Sequence, residues 1–210
     1  HLCGLLQPLP IPTGIWQDIS LDFIGGLPLS NGYTVILVVV DRLSKYGHFI
    51  PLKHLYTSAS VADTFIKEIF RFYGMPKLSM SNRDPIFINN FWQEFFKLQG
   101  SKLCPSSAYH PQMDGQTEIL NRTLERYLRC FSTNKPIKWS SLIPWAKWWY
   151  NTSFQSAIKM SPYQAVYSIE PPSIRMYMPD STTVHSVDAT LQDRDMLLCL
   201  LRTNLHMVQN

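Results

Sequence analysis

Eight consecutive residues, Tyr33 to Val40 ("YTVILVVV"), form an unbroken apolar and β-branched run. A run of that length falls well short of the ~20 residues a membrane-spanning helix takes, and its β-branched content favours extended backbone. Because both side-chain parities are apolar, such a strand has to be covered on both faces. The rest of the chain must therefore supply helices to both sides of a sheet. With 210 residues, 45% of them hydrophobic, it is long enough for one core of that kind and short for two.

The flanking segments meet that demand. "ISLDFI" alternates, with Ile19, Leu21 and Phe23 on one face and Asp22 mid-strand on the other. "GGLPLSNG" is a turn, and "HFIPL" is a third strand that Pro51 either ends or confines to an edge. From Ser58 to Tyr73 the apolar residues Val61, Ala62, Phe65, Ile66, Ile69, Phe70 and Tyr73 recur at helical spacing, closed by Gly74 and Pro76. "KLSMS" is a short strand, "NNFWQEFFKLQG" a helix capped by Asn89 or Asn90, and "KLCPS" a fifth strand. "SAYHPQMDGQTE" has no period and is a loop. Residues 116–131 form a helix with Leu120, Leu124, Tyr127, Leu128 and Phe131 on one stripe and Glu118, Arg122, Glu125 and Arg129 on another.

"WSSLIPWAKWWYN" is an amphipathic helix interrupted by Pro144, and its tryptophans, Trp139, Trp145, Trp148 and Trp149, serve either core packing or an interaction surface. "SPYQAVYS" is a short helix with Ser161 as cap and Pro162 in its first turn, and the segment from Val187 to Asn210 is helical. The order β-β-β-α-β-α-β-α-α specifies an α/β fold, a mixed five-stranded sheet flanked by helices. The Pro-rich opening, "HLCGLLQPLPIPTG", reads as a linker over residues 1–14 of a longer protein, followed by a core over 15–170 and a C-terminal linker with a truncated helix over 171–210.

A net charge of +4 and a pI near 8.9 are compatible with a polyanionic partner without demanding one. Cys3, Cys104, Cys130 and Cys199 are far apart and form no CxxC pair, which specifies neither a zinc site nor a disulfide framework. With no secretory signal and no membrane-length apolar run, a nuclear or cytoplasmic location is expected, and the "NRT" and "NTS" triplets are chance matches to a glycosylation pattern.

Three polar positions carry possible chemistry: Asp22 on its strand, the 82/84 pair after the fourth strand, and Glu118 at a helix start. Carboxylates from separate elements can converge to hold a pair of divalent ions for phosphoryl transfer. The same residues also fit a solvated strand position, a turn before Pro85, and an ion pair between Glu118 and Arg122. Beside Glu118, a loop with Tyr109, His110, Gln112 and Gln116 leads into a helix bearing Arg122, Arg126 and Arg129, groups that neutralise phosphates and contact a nucleic-acid strand. Internal pairs Glu118–Arg122 and Glu125–Arg129 would equally make this an ordinary solvated face.

Several long blocks in order, "ISLDFI", "ILVVVDRLSKYGHFIPL", "FYGMP", "SNRDPIFINNFWQEFFKLQG", "SSAYHPQMDGQTEILNRTLERYLRC", "WYNTS" and "SPYQAVYS", resemble the integrase catalytic core of gypsy-type LTR retrotransposons over nearly the whole chain. The resemblance implies an RNase H-like fold with a D,D,35,E carboxylate triad on two Mg²⁺ or Mn²⁺ ions. It implies trimming of element DNA ends with water, then joining of the 3′-hydroxyl to target DNA. Double-stranded DNA and further copies of the chain are the implied partners, and Tyr109, Gln112 and Asp114 the implied contact residues in a loop where Met113 stands for the family's usual Thr. The zinc module that precedes the core in full-length relatives is not in this sequence, so no zinc is expected here.

Carried over by position, the triad falls on Asp22, residue 82 and Glu118. The family reads S-D-R-D-P-I-F where this chain has Ser81-Asn82-Arg83-Asp84-Pro85-Ile86-Phe87, and 35 residues separate positions 82 and 118 (118 − 82 − 1). The second ligand position is thus Asn82, which keeps a carbonyl oxygen but no charge. Asp84 lies two residues further on, roughly 6–7 Å along an extended chain, and is a weak substitute. The expectation is an integrase core with a degenerate site, inactive or impaired; the alternative is a non-catalytic DNA-binding or oligomerisation module.

Overall fold

The computed structural model describes residues 11–82, 84–105, 120–122, 124–125, 139–173 and 175–209. Its sheet has five strands: β1 (Asp18–Ile24), β2 (Tyr33–Asp41), β3 (Gly47–Lys53), β4 (Leu78–Ser81) and β5 (Lys102–Pro105). They lie in the order β3-β2-β1-β4-β5. The first three are joined antiparallel, and β4 and β5 add on parallel to β1. Pro51 sits on β3, an edge strand, where its missing N–H costs no ladder bond.

β2 is buried from Val35 to Asp41, as its two-sided apolar run requires. One parity, Val35, Leu37 and Val39, joins Ile19 and Leu21 in a core with Val61, Phe65, Ile69, Phe87, Trp92 and Phe96. Those partners come from α1 (Ser58–Phe65), the π-helical turn Ile66–Phe70 that leads into α2 (Arg71–Tyr73), α3 (Pro85–Ile88) and α4 (Asn90–Leu98). The other parity faces α5 (Trp139–Thr152): Val38 is paired with Phe49, whose ring packs edge-on against Tyr150 at 5.5 Å.

Local chemistry sets the boundaries. Thr57 and Ser60 form a capping box at α1, Asp84 caps α3, and Asn89, rather than Asn90, caps α4 by accepting from the Phe91 N–H at 2.8 Å. α6 (Pro162–Tyr167) opens on a second capping box, Ser161 with Gln164.

Pro144 does not interrupt α5, contrary to the sequence expectation. The exposed ring forfeits one bond, to the Ser140 carbonyl, close to the start of the helix. That start is held from outside: Trp139 Nε1 donates to the Pro28 carbonyl at 2.6 Å, and the Ser140 hydroxyl lies 2.9 Å from that of Ser30. Trp139 is buried, while Trp145, Trp148 and Trp149 are half-buried. At the other end, buried Asn151 accepts from the Gly47 N–H (2.8 Å) and donates to the Gly47 carbonyl (2.9 Å), so the "NTS" asparagine is a tie between α5 and β3.

The loop from β2 to β3 turns on Asp41, whose carboxylate, 0% exposed, accepts from the Trp16 N–H and from both the N–H and hydroxyl of Ser44. Beyond it, Lys147 Nζ donates to His48 Nδ1 at 2.8 Å. That contact leaves the ring proton on Nε2, which donates to the Tyr73 hydroxyl at 2.9 Å. Burial, and second the Lys147 charge, push the His48 imidazole down to about 3.

The chain divides into two compact units, one ending at Glu170 and one beginning at Pro171. The second unit is built on α7 (His185–Gln209), against which the Tyr177 hydroxyl donates to Asp188 at 2.7 Å. No helix among the described residues is long and apolar enough to cross a membrane.

Trp92→Ala, which empties the site where α1, α3 and α4 meet, is expected to destabilise the chain by about 3–5 kcal/mol in denaturant unfolding. His48 is neutral in the folded protein and takes a proton more readily once unfolded. Its contribution is therefore complete above pH 6.5 and lost as pH falls toward about 3. In circular-dichroism melts the midpoint should drop between pH 6.5 and 4, and His48→Gln should flatten that drop; an unchanged slope refutes it.

Candidate active site

β1 and β4 run parallel with Leu21 opposite Ser81, so the residues that follow, Asp22 within β1 and position 82 just past the end of β4, stand side by side. Strand alternation turns Asp22 away from the core that holds Leu21. The Asp22 carboxylate then collects donors. Its Oδ1 accepts from the Asn82 carboxamide and from the Phe23 backbone N–H at 2.8 Å, and its Oδ2 accepts from the Asn121 carboxamide at 2.6 Å.

Both carboxamides have a fixed sense. The Asn82 Oδ1 accepts the Asp84 N–H at 3.1 Å, which leaves its NH₂ group to face Asp22. Asn121 aims its NH₂ at Asp22 although its own Oδ1 is then buried without a hydrogen-bond partner among the described residues. Such an orphaned acceptor costs roughly 1–3 kcal/mol. Turning the amide over would press that oxygen against an anion, so the charge on Asp22 decides.

Asp84 is committed elsewhere. It caps α3, its Oδ1 accepting from the Ile86 N–H at 2.9 Å, and its charge helps raise the Tyr56 phenol, whose partial burial is the larger cause. Among the described residues no group of three or more His, Cys, Asp or Glu side chains is placed to hold a metal ion.

Of the residues singled out by sequence, Asp22 and Asn82 are brought into contact. Arg122 is exposed on a helical stretch whose Leu120 and Leu124 are buried, in keeping with the stripe expected there. Glu118, Tyr109, Gln112, Asp114, Gln116, Arg126 and Arg129 lie outside the described residues. Asn121 was missed. Its one signal is position, a polar residue on the border between the apolar stripe and the charged one.

No protein-family model matches the chain. The Tf2-3 transposon polyprotein of Schizosaccharomyces pombe is 36% identical over 168 residues, 80% of this chain, and the Tf2-7 polyprotein of the same yeast matches to the same extent. The match spans 13% of the length of those curated relatives. Among solved structures, the simian T-cell lymphotropic virus intasome, in complex with the PP2A regulatory subunit B56 gamma, superimposes over 87% of this chain and 66% of its own with a TM-score of 0.63 at 16% identity. The HTLV-2 integrase catalytic core domain in complex with magnesium, in its dimeric form, covers 71% of this chain and 95% of its own with a TM-score of 0.55 at 19% identity. The five-stranded mixed sheet with helices on both faces is thus the RNase H-like fold of integrase cores. The chain is thus similar in sequence to a segment of the transposon polyproteins and in fold to the catalytic cores of retroviral integrases.

Proposed function

We propose that this chain is an integrase core that keeps the DNA-binding and self-assembling role of its family and has lost the trimming and joining of DNA ends. The observation that carries this reading is the carboxamide of Asn82 donating to Asp22. Two divalent ions about 4 Å apart require anionic oxygens from several elements. Of the triad positions Asp22 and Glu118 keep carboxylates, while the carboxamide of Asn82, like that of Asn121, is turned NH₂-first toward Asp22. That set does not fit such a pair of ions.

The physical contrast lies in what neutralises Asp22. With a carboxylate at position 82, two like charges at ~4 Å repel by about 4 kcal/mol at an effective dielectric of 20, and a cation is needed between them. Asn82 removes the repulsion and supplies hydrogen bonds of its own. Asp84 is a poor replacement because leaving its cap would expose the first turn of α3.

Support for the retained roles comes from relatives. The HTLV-2 core is known in dimeric and trimeric forms, and the simian viral protein as an intasome. We assign DNA contact to Tyr109, Gln112, Asp114 and Gln116, and to Arg122, Arg126 and Arg129, whose charge suits phosphates. Glu118 is the remaining carboxylate of the family's triad.

Asn82→Asp tests the reading twice. Without divalent metal the variant should unfold about 2–4 kcal/mol more easily than the parent chain, and Mn²⁺ should raise its melting temperature while leaving the parent's almost unmoved. On a branched DNA substrate with Mn²⁺, cleavage and joining should appear in the variant alone. Equal activity, or equal stabilisation by Mn²⁺, in the parent chain would sink the proposal.

A further inference from the structure

At the free edge of the sheet, two strands from Asp22, a cavity of about 340 Å³ opens beside β3. That size lies at the lower end of small-molecule sites, roughly 300–1,000 Å³. Its charged wall is built by Lys67 and Glu68 from the π-helical turn and by Lys147 from α5. Its apolar wall is the Phe49–Pro51 stretch of β3. A π-helical turn inside a helix is uncommon and recurs at functional sites; here it carries two of the three charges that line the cavity.

Lys147 is the unusual member. It is half-buried, and an ammonium has three protons to donate. One goes to His48 Nδ1, a neutral acceptor that brings no counter-charge. No salt bridge among the described residues involves Lys147. Burial lowers its proton affinity, and the charge of Glu68 across the cavity partly offsets that. With two ammonium groups against one carboxylate and a neutral imidazole, the wall is left with one positive charge.

A ligand that completes this wall brings one negative charge on a small apolar body. A phosphate monoester would overshoot the charge and bring a second one up against Glu68. A planar carboxylate matches, with the protons left on Lys147 to receive it. Thr64 is a weaker donor candidate because its hydroxyl already donates to the Ser60 carbonyl at 2.9 Å. We propose that this cavity is a binding site for a small monoanionic carboxylic acid, held by Lys147 with its apolar part on β3.

The test uses the whole 210-residue chain, isotope-labelled, titrated at pH 7 with sodium benzoate and in parallel with benzamide, the uncharged isostere. Benzoate should give saturable shifts of the Phe49 and Ile50 amides and the His48 ring, with benzamide at least tenfold weaker. Lys147→Met should weaken benzoate at least tenfold. Equal affinity for the two probes, undiminished benzoate binding by Lys147→Met, or no shift at the cavity with benzoate would overturn the proposal. If Lys147→Met does not fold, the probe comparison on the parent chain decides it.

Discussion

The rest of the architecture follows from one strand that has no wet face. β2 is buried on both sides, so the chain must close over it twice, and it does so with two different sets of helices. The strands antiparallel to it on either side, β1 and β3, then inherit unequal environments. β1 is flanked on both edges and can hold a charged residue in a fixed place; β3 is left at the margin. The site at Asp22 and the cavity at Lys147 occupy those two positions.

Around Asp22 the chain has settled a problem of like charges by hydrogen bonding. A metal-dependent nuclease site is poorly satisfied without its ions, because the anions that bind them repel. Here two carboxamides and a backbone N–H donate to the Asp22 carboxylate. On the proposed function, the local structure then holds without a bound ion, and the change at position 82 that removes the chemistry leaves the surrounding fold unharmed or firmer.

Much of this was legible beforehand, and the reasons differ by residue. The double burial of β2 and the cap at Ser161 are local consequences of side-chain type, so sequence spelled them out. For the α4 cap and for Pro51 it left two readings each, of which Asn89 and the edge position are the ones found. Position 82 was singled out by the spacing of a family motif, whereas its contact with Asp22 follows from the parallel register of β1 and β4, which no local pattern displays. Asn121 was not, because its bond to Asp22 crosses 99 positions and depends on which flank of a helix abuts a strand end. Nor was the Lys147–His48 contact, in which a lysine of α5 meets an edge strand, again across 99 positions. Pro144 misled because a proline rule written for helix interiors was applied to a helix start that neighbouring loops hold in place.

The tie between Asn151 and Gly47 has a bearing on how copies of the chain can meet. Outward-facing backbone groups alternate along an antiparallel edge, so Gly47, Phe49 and Pro51 are the β3 positions that would greet an incoming strand. Asn151 already occupies both groups of Gly47, and Pro51 has no proton to offer. A single donor, at Phe49, is left along that stretch. Strand addition, the route by which bare sheet margins grow into aggregates, is thereby blunted at this edge, and a second copy meeting it would have to do so through side chains.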